Sequence, residues 1–149
     1  MELLEQLSRR QVDTLIAVRR GEAGAKGAAL NFVAQELGVR PPSALDHLTS
    51  LEELGLVSRY RGKSRLTGRG EACLQEYQRH HRVAENLFQS LGLSVAHTHA
   101  AALEVDLALS HRTVNRLCEA EGHPKECPHG APISPCQPTH SGSSVSASV

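Results

Sequence analysis

His81 and Glu85 stand four residues apart, the spacing that places two side chains a turn apart on one helix face. His99 and Asp106, seven apart, share a face of a later helical stretch in the same way. Two imidazoles and two carboxylates from two helices offer donors of intermediate hardness, a set that suits Fe(II), Mn(II) or Zn(II) and not Cu(I). Taken alone, such a His–Glu pair is more often a surface hydrogen bond. Farther along, Cys118, His123, Cys127, His129 and Cys136 fall within 19 residues, and thiolates and imidazoles are the ligands of zinc and iron–sulfur centres. Eight residues separate successive cysteines here, unlike the short spacing of most structural zinc knuckles. That spacing weakens the metal or redox reading of the stretch Cys-Pro-His-Gly-Ala-Pro-Ile without removing it. Cys73, beside Leu74 on an amphipathic stretch, reads as a small core residue. No set of residues offers a nucleophile, an orienting base and an oxyanion donor together, so an enzyme is not expected.

Charge carries a second chemistry. The chain has 16 Lys and Arg against 16 Asp and Glu, but the first 70 residues hold 11 against 8 and the remainder 5 against 8. The front is thus +3 and the back −3, which directs a polyanion to the front only. Between Leu56 and Gly70 there is no acid, while Arg59, Arg61, Lys63, Arg65 and Arg69 supply cations that can neutralise phosphates. Aromatic residues make up 3% and Trp is absent, which disfavours a stacking platform for single-stranded nucleic acid. At 149 residues the chain is too short for most large catalytic folds. Four cysteines without a CxxC pair make a disulfide framework improbable. The start MELLEQLSRR lacks the apolar stretch of a signal peptide and no membrane-length apolar run follows, so a cytoplasmic protein is expected.

These residues must be positioned by local elements. Leu4, Leu7, Val12, Leu15 and Ile16 predict a helix over 2–20, which GEAGAKG then breaks. A short helix carries Leu30, Val33, Ala34 and Leu37 and stops at Gly38; its successor starts on Pro41-Pro42 and ends by Gly55. Two short strands about Gly62 predict a hairpin over 56–66. Thr67 is placed to cap a long helix running to about residue 91. Residues 94–120 read as two helices divided near Ser110, and the Ser-rich 137–149 as a disordered tail. The chain is thus expected to be mainly α: a winged helix-turn-helix domain over 1–70, a helical domain over 71–136, and a tail. In such a module the second helix of the turn would present Arg40, Pro42, Ser43, Asp46 and His47 to the major groove, and the wing would bring Arg59, Arg61, Lys63 and Arg65 to phosphates. Asp46 would favour a cytosine amino group and repel phosphates, which leaves open an interaction module that has abandoned DNA.

The stretches VRPPSALDHLTSLEELGLVSRYRGKSRLTGRG, HHRVAENLFQSLGL, ALEVDLALSHRTVNRLCEAEGHP and CPHGAPI, in this order across residues 7–133, resemble the diphtheria toxin repressor and manganese transport regulator family of metal-dependent transcriptional repressors, in its short two-domain form. The resemblance implies a homodimer on double-stranded DNA with a palindromic operator, half-sites lying about 34 Å apart, controlling genes of iron or manganese homeostasis. It implies a divalent cofactor, Fe(II) or Mn(II) first and Zn(II) as an alternative. It makes His81, Glu85 and His99 ligands, puts Asp106 where a glutamate ligand is usual, and makes Asp13 an N-terminal carboxylate ligand. It also puts Arg10, Leu103 and Leu107 at positions where family members carry ligands, so one of two neighbouring metal sites is expected to be dismantled. A winged-helix regulator answering to redox state or zinc through Cys118, Cys127 and Cys136 is the alternative sensor.

Overall fold

The computed structural model describes residues 2–23 and 26–136; the expected tail over 137–149 lies outside the described residues. The predicted first helix is two: α1 (Glu2–Gln6) and α2 (Arg9–Glu22). The break is a capping box. Ser8 accepts from the Gln11 amide while the Gln11 side chain accepts from the Ser8 amide, which satisfies two donors that a continuous apolar stripe had hidden. Arg19 and Arg20 occupy the last turn, where cations complement the helix dipole.

After β1 (Ala28–Ala29) come α3 (Leu30–Leu37) and α4 (Pro41–Glu53), the latter with prolines in its first turn. The hairpin is β2 (Val57–Tyr60) and β3 (Lys63–Leu66), paired antiparallel with Tyr60 opposite Lys63. Its loop is Arg61-Gly62, with φ of 50° and 74°, the paired positive values that a two-residue hairpin needs and that Gly62 adopts without a Cβ penalty. The sheet order is β1-β3-β2. Nothing in Ala28-Ala29 signals a strand; it becomes one because β3 offers it an edge, with Ala28 opposite Ser64.

Thr67 caps α5 (Gly68–Ser90) by accepting from the Gly70 amide. A Cβ on Gly70 would lie 2.0 Å from the Leu56 carbonyl oxygen, so only glycine lets the helix start against the hairpin. The first hydrophobic core gathers Val12, Leu15, Val18, Val33, Leu48, Leu51 and Leu56 and extends to Cys73, Leu74 and Tyr77 of α5. Val83, a turn and a half farther along, already belongs to a second core with Val114, Cys118, Cys127 and Ile133. That core is closed by α7 (His111–Ala120) and a C-terminal arm over 121–136, while α6 (Val95–Val105) packs against α5. The arm turns tightly, Gly130 donating to the Cys127 carbonyl and Cys127 to that of Ala131. It is tied to α5 by Arg82 and Asn86, which donate to the carbonyls of Pro132 (2.6 Å) and Glu126 (2.9 Å). No helix among the described residues is long and apolar enough to cross a membrane.

Candidate metal centres and nucleic-acid interface

Helix α5 carries His81 and Glu85 on its inner face, and α6 brings His99 to them. His81 Nε2 lies 3.0 Å from His99 Nδ1 and 3.2 Å from Glu85 Oε1. Asp106, expected as the fourth ligand, sits behind His81 instead: its Oδ2 is 2.9 Å from His81 Nδ1. Burial opposes ionisation of Asp106, but hydrogen bonds from His81, Arg9 and Tyr77 hold its carboxyl below the usual range. A charged Asp106 can only accept, so His81 Nδ1 carries the hydrogen and Nε2 turns its lone pair towards Glu85 and His99.

Asp106 is enclosed on its remaining sides. Tyr77 donates to Oδ2 at 2.8 Å, and Arg9 donates to Oδ1 while also reaching the Leu103 carbonyl (2.9 Å) and the Tyr77 hydroxyl (2.7 Å). Burial and the Asp106 charge push the Tyr77 hydroxyl pKa strongly up, so it stays a donor. The cation meeting the second domain here is thus Arg9, one residue before the position that the sequence singled out. Arg10 points elsewhere, to the Leu37 carbonyl at 3.1 Å. A cleft of about 340 Å³ between α2 and α6 is lined by Arg10, Asp13, His81, His99 and Leu103 among others, so Asp13 faces the same space as the two imidazoles.

Glu85 has a second set of neighbours that the sequence left undecided. The arm folds back so that Cys127 and His129 join Glu85, their ligand atoms converging within 4.8 Å. Glu85 Oε2 is 2.6 Å from His129 Nδ1, yet it is buried and no donor is aligned with it. A close pair of acceptors around an unsatisfied buried oxygen fits a cation between them rather than a hydrogen bond. Glu85 therefore bridges two ligand groups, His81/His99 on one oxygen and Cys127/His129 on the other. The Cys-x-His signal in CPHG was present in the sequence; what it lacked was the arm's path back to α5.

On the other side of the molecule Arg40, Pro42, Ser43 and Asp46 are exposed along the first turns of α4, and His47 is half-buried. In the hairpin, strand alternation puts Ser58, Tyr60, Lys63 and Arg65 on one exposed face. They line, with Lys26 and Arg61, a hollow of about 740 Å³. Arg59 falls on the opposite face with Val57, Ser64 and Leu66 and is half-buried, apart from the other wing cations. Among the described residues, Lys26, Arg61, Lys63 and Arg65 make no ion pair. Tyr60 is 73% exposed with the Arg61 guanidinium 5.2 Å from its ring. Lys26 and Tyr60 were not singled out from sequence; only the pairing of β1 with β3 brings the GEAGAKG segment beside the wing.

Residues 67–135 match the metal binding and dimerisation domain of iron dependent repressors. The chain thus carries a domain of the iron-dependent repressor type. Its fold is accordingly a winged helix-turn-helix followed by that helical domain, and the family consists of transcriptional regulators rather than enzymes. No protein of curated function matches the chain in sequence. Among solved structures, a hypothetical protein of Sulfolobus solfataricus is 28% identical, with a TM-score of 0.81 over 86% of this chain and 99% of its own. The Thermoplasma relative described as T. acidophilum IdeR is 26% identical, with a TM-score of 0.66 over 87% of this chain and 61% of its own. ScaR, solved with bound zinc, is 26% identical, with a TM-score of 0.74 over 85% of this chain and 60% of its own. The chain spans about three-fifths of the length of the latter two.

Proposed function

We propose that this chain is a homodimeric, metal-responsive transcriptional regulator, binding double-stranded DNA and controlling genes of iron or manganese homeostasis. The observation that carries the reading is Glu85: a buried carboxylate with one oxygen lacking a donor, set between two groups of nitrogen and sulfur ligands. His81, Glu85 and His99 would hold a divalent ion, with Cys127 and His129 extending the site, while Asp106 positions His81 rather than ligating. Such a donor set takes Fe(II), Mn(II) or Zn(II), the thiolate favouring the softer of these. Because Asp13 of α2 and His81 of α5 line one cleft, an ion held there bears on how the winged-helix part meets the rest. A metal that binds the DNA-competent arrangement better shifts the population towards it.

Arg40, Pro42, Ser43, Asp46 and His47 would meet base edges and Arg61, Lys63 and Arg65, joined by Lys26, the phosphates; Arg59 contributes from behind the sheet. Leu91, Leu93 and Val95, within five residues of chain, are large apolar side chains left exposed, which on a dimerisation domain supports pairing with a second copy.

The test is affinity for the chain's own upstream DNA at fixed salt under anaerobic conditions, first metal-free and then with Mn(II), Fe(II) or Zn(II). Tightening of tenfold or more, about 1.4 kcal/mol of coupling, is expected for one of the three; indifference to all three overturns the metal response. Replacing Arg61 and Lys63 together by alanine should weaken binding to every DNA sequence alike and flatten the salt slope by about two units. An unchanged slope removes the wing from the interface.

A further inference from the structure

The five Cys and His residues that cluster in sequence near the C-terminus do not act as one group. Cys127 and His129 face Glu85, whereas Cys118, His123 and Cys136 converge separately at the far end of α7. Helix α7 ends in a turn in which Gly122 and His123 both adopt positive φ, 77° and 54°. The His123 amide donates to the Cys118 carbonyl at 2.8 Å. A left-handed conformation is uncommon for a residue with a side chain, and here its consequence is to fold the imidazole back over Cys118. The arm then returns, held in the second core by Ile133, and delivers Cys136 to the same ring.

The three side chains converge with their ligand atoms within 4.8 Å of one another. His123 Nδ1 lies 3.7 Å from Cys118 Sγ and 3.7 Å from Cys136 Sγ. One ring nitrogen has a single lone pair and cannot accept well from two thiols at once. Two sulfurs and a nitrogen placed tetrahedrally at zinc's ordinary bond lengths would stand about 3.6 Å apart in each sulfur–nitrogen pair. Arg79, whose side chain is buried, donates to Cys136 Sγ at 3.0 Å, the kind of outer contact that orients a ligating thiolate. The charges also balance: two thiolates neutralise a divalent ion, and the Arg79 cation has Glu76 at 3.3 Å as its own partner.

We infer that Cys118, His123 and Cys136 form a Zn(II) site of two thiolates and one imidazole, separate from Glu85, that fastens the C-terminal arm to the end of α7. Cys118 is buried, but His123 is exposed and Cys136 half-buried, so the fourth coordination position opens to solvent and is filled by water or a small ligand. The site holds the arm at both sides of Cys127 and His129. Its existence does not depend on the function proposed above for the chain.

Full-length protein, stripped of metal and kept reduced, is titrated with Co(II), whose thiolate charge-transfer absorption counts sulfur ligands, and then with Zn(II) to displace it. Cys127→Ser should keep a strong tetrahedral cobalt spectrum. Cys136→Ser and His123→Ala, both outside the fully buried core, should each weaken Zn(II) binding at this site by tenfold or more, and Cys136→Ser should remove about half of the remaining thiolate absorption in the Cys127→Ser background. As a second reading, Zn(II) should slow alkylation of Cys136 by at least tenfold in wild type and Cys127→Ser, but not in His123→Ala. The proposal is overturned if Cys127→Ser abolishes all thiolate–cobalt absorption, if Cys136→Ser and His123→Ala bind Zn(II) as wild type does, or if Zn(II) leaves Cys136 alkylation unchanged.

Discussion

Asp106 and Glu85 are both buried carboxylates in contact with His81, and the chain treats them oppositely. Asp106, fully buried, receives hydrogen bonds from His81, Tyr77 and Arg9 and so carries its countercharge within the protein. Glu85, 3% exposed, is met by His81 and His129 but by no guanidinium or ammonium, and one of its oxygens lacks a donor. A buried carboxylate is costly unless compensated. At Asp106 the compensation is an ion pair built into the chain, a guanidinium from α2 tying the two halves of the molecule together. At Glu85 the ion proposed above would supply it. Under that proposal the two carboxylates divide the work: Arg9 serves Asp106 from within the chain, and Glu85 is the one left for an ion.

The largest effect should follow from removing the uncompensated charge. Glu85→Gln keeps the shape and loses the shared ligand, and metal affinity should fall by at least the roughly 100-fold that even an outer contact can cost; competition with a chromophoric chelator measures it. A variant binding metal normally would erase the distinction between the two carboxylates.

Next comes Arg9→Met, which strands Asp106. Breaking a buried pair costs about 3–5 kcal/mol, reduced here to about 2–3 because the Arg9 side chain is 36% exposed and screened by solvent. Urea unfolding at neutral pH should show that loss. Since the folded state depresses the Asp106 pKa, its paired charge stabilises above the ordinary carboxylate range, and the cost of Arg9→Met should shrink as acid protonates it. Metal affinity should stay within about threefold of wild type; a new equivalent of bound metal would mean that Arg9 had been excluding an ion.

Glu76 sharpens the comparison as a second self-compensated carboxylate, with His80, His111 and Arg79 around one oxygen. Burial would raise its pKa, but hydrogen bonds to and charge on His80 and His111 bring it from 4.5 down to about 2. The folded value is depressed, so its stabilisation is complete above pH 4.5 and is lost as pH falls towards 2, up to about 3 kcal/mol in all. Glu76→Gln should flatten the acid limb of the stability curve over that window. Finally, saturating Mn(II), which a thiolate site does not favour, at about 100 times its dissociation constant should stabilise wild type and Arg9→Met alike by about 2.7 kcal/mol and leave Glu85→Gln unmoved; thermal melts with and without Mn(II) decide this.

Much of the winged-helix part was legible because its signals are local. Prolines opened α4, Gly62 marked the hairpin turn, and Thr67 capped α5. The break at Ser8 was also written locally, as Ser-x-x-Gln, but the apolar stripe running through it spoke for one helix. β1 was not legible, since two alanines become a strand only beside β3. In the metal centre, His81 with Glu85 and His99 with Asp106 could each be paired by helical period alone, and the family resemblance supported their convergence. Asp106 was read as a ligand, and the structure places it against Nδ1 of His81, away from Glu85 and His99. Cys127 and His129 were seen without their partner, because Glu85 lies 42 residues before Cys127 and only the arm's return joins them.

The sequence by itself determined the order of helices, the basic hairpin, the charge division between front and back, and the presence of nitrogen, oxygen and sulfur ligands, because each depends on spacings of a few residues. The tertiary structure decided which ligand-type side chains converge, that Cys118 and Cys136 stand apart from Cys127, and that Arg9 rather than Arg10 meets Asp106. Adjacent residues on a helix point about 100° apart, so which of two neighbouring arginines reaches a carboxylate 97 positions away depends on how α2 is seated against α5 and α6. That seating is set by the packing of a whole core, not by any short stretch of chain.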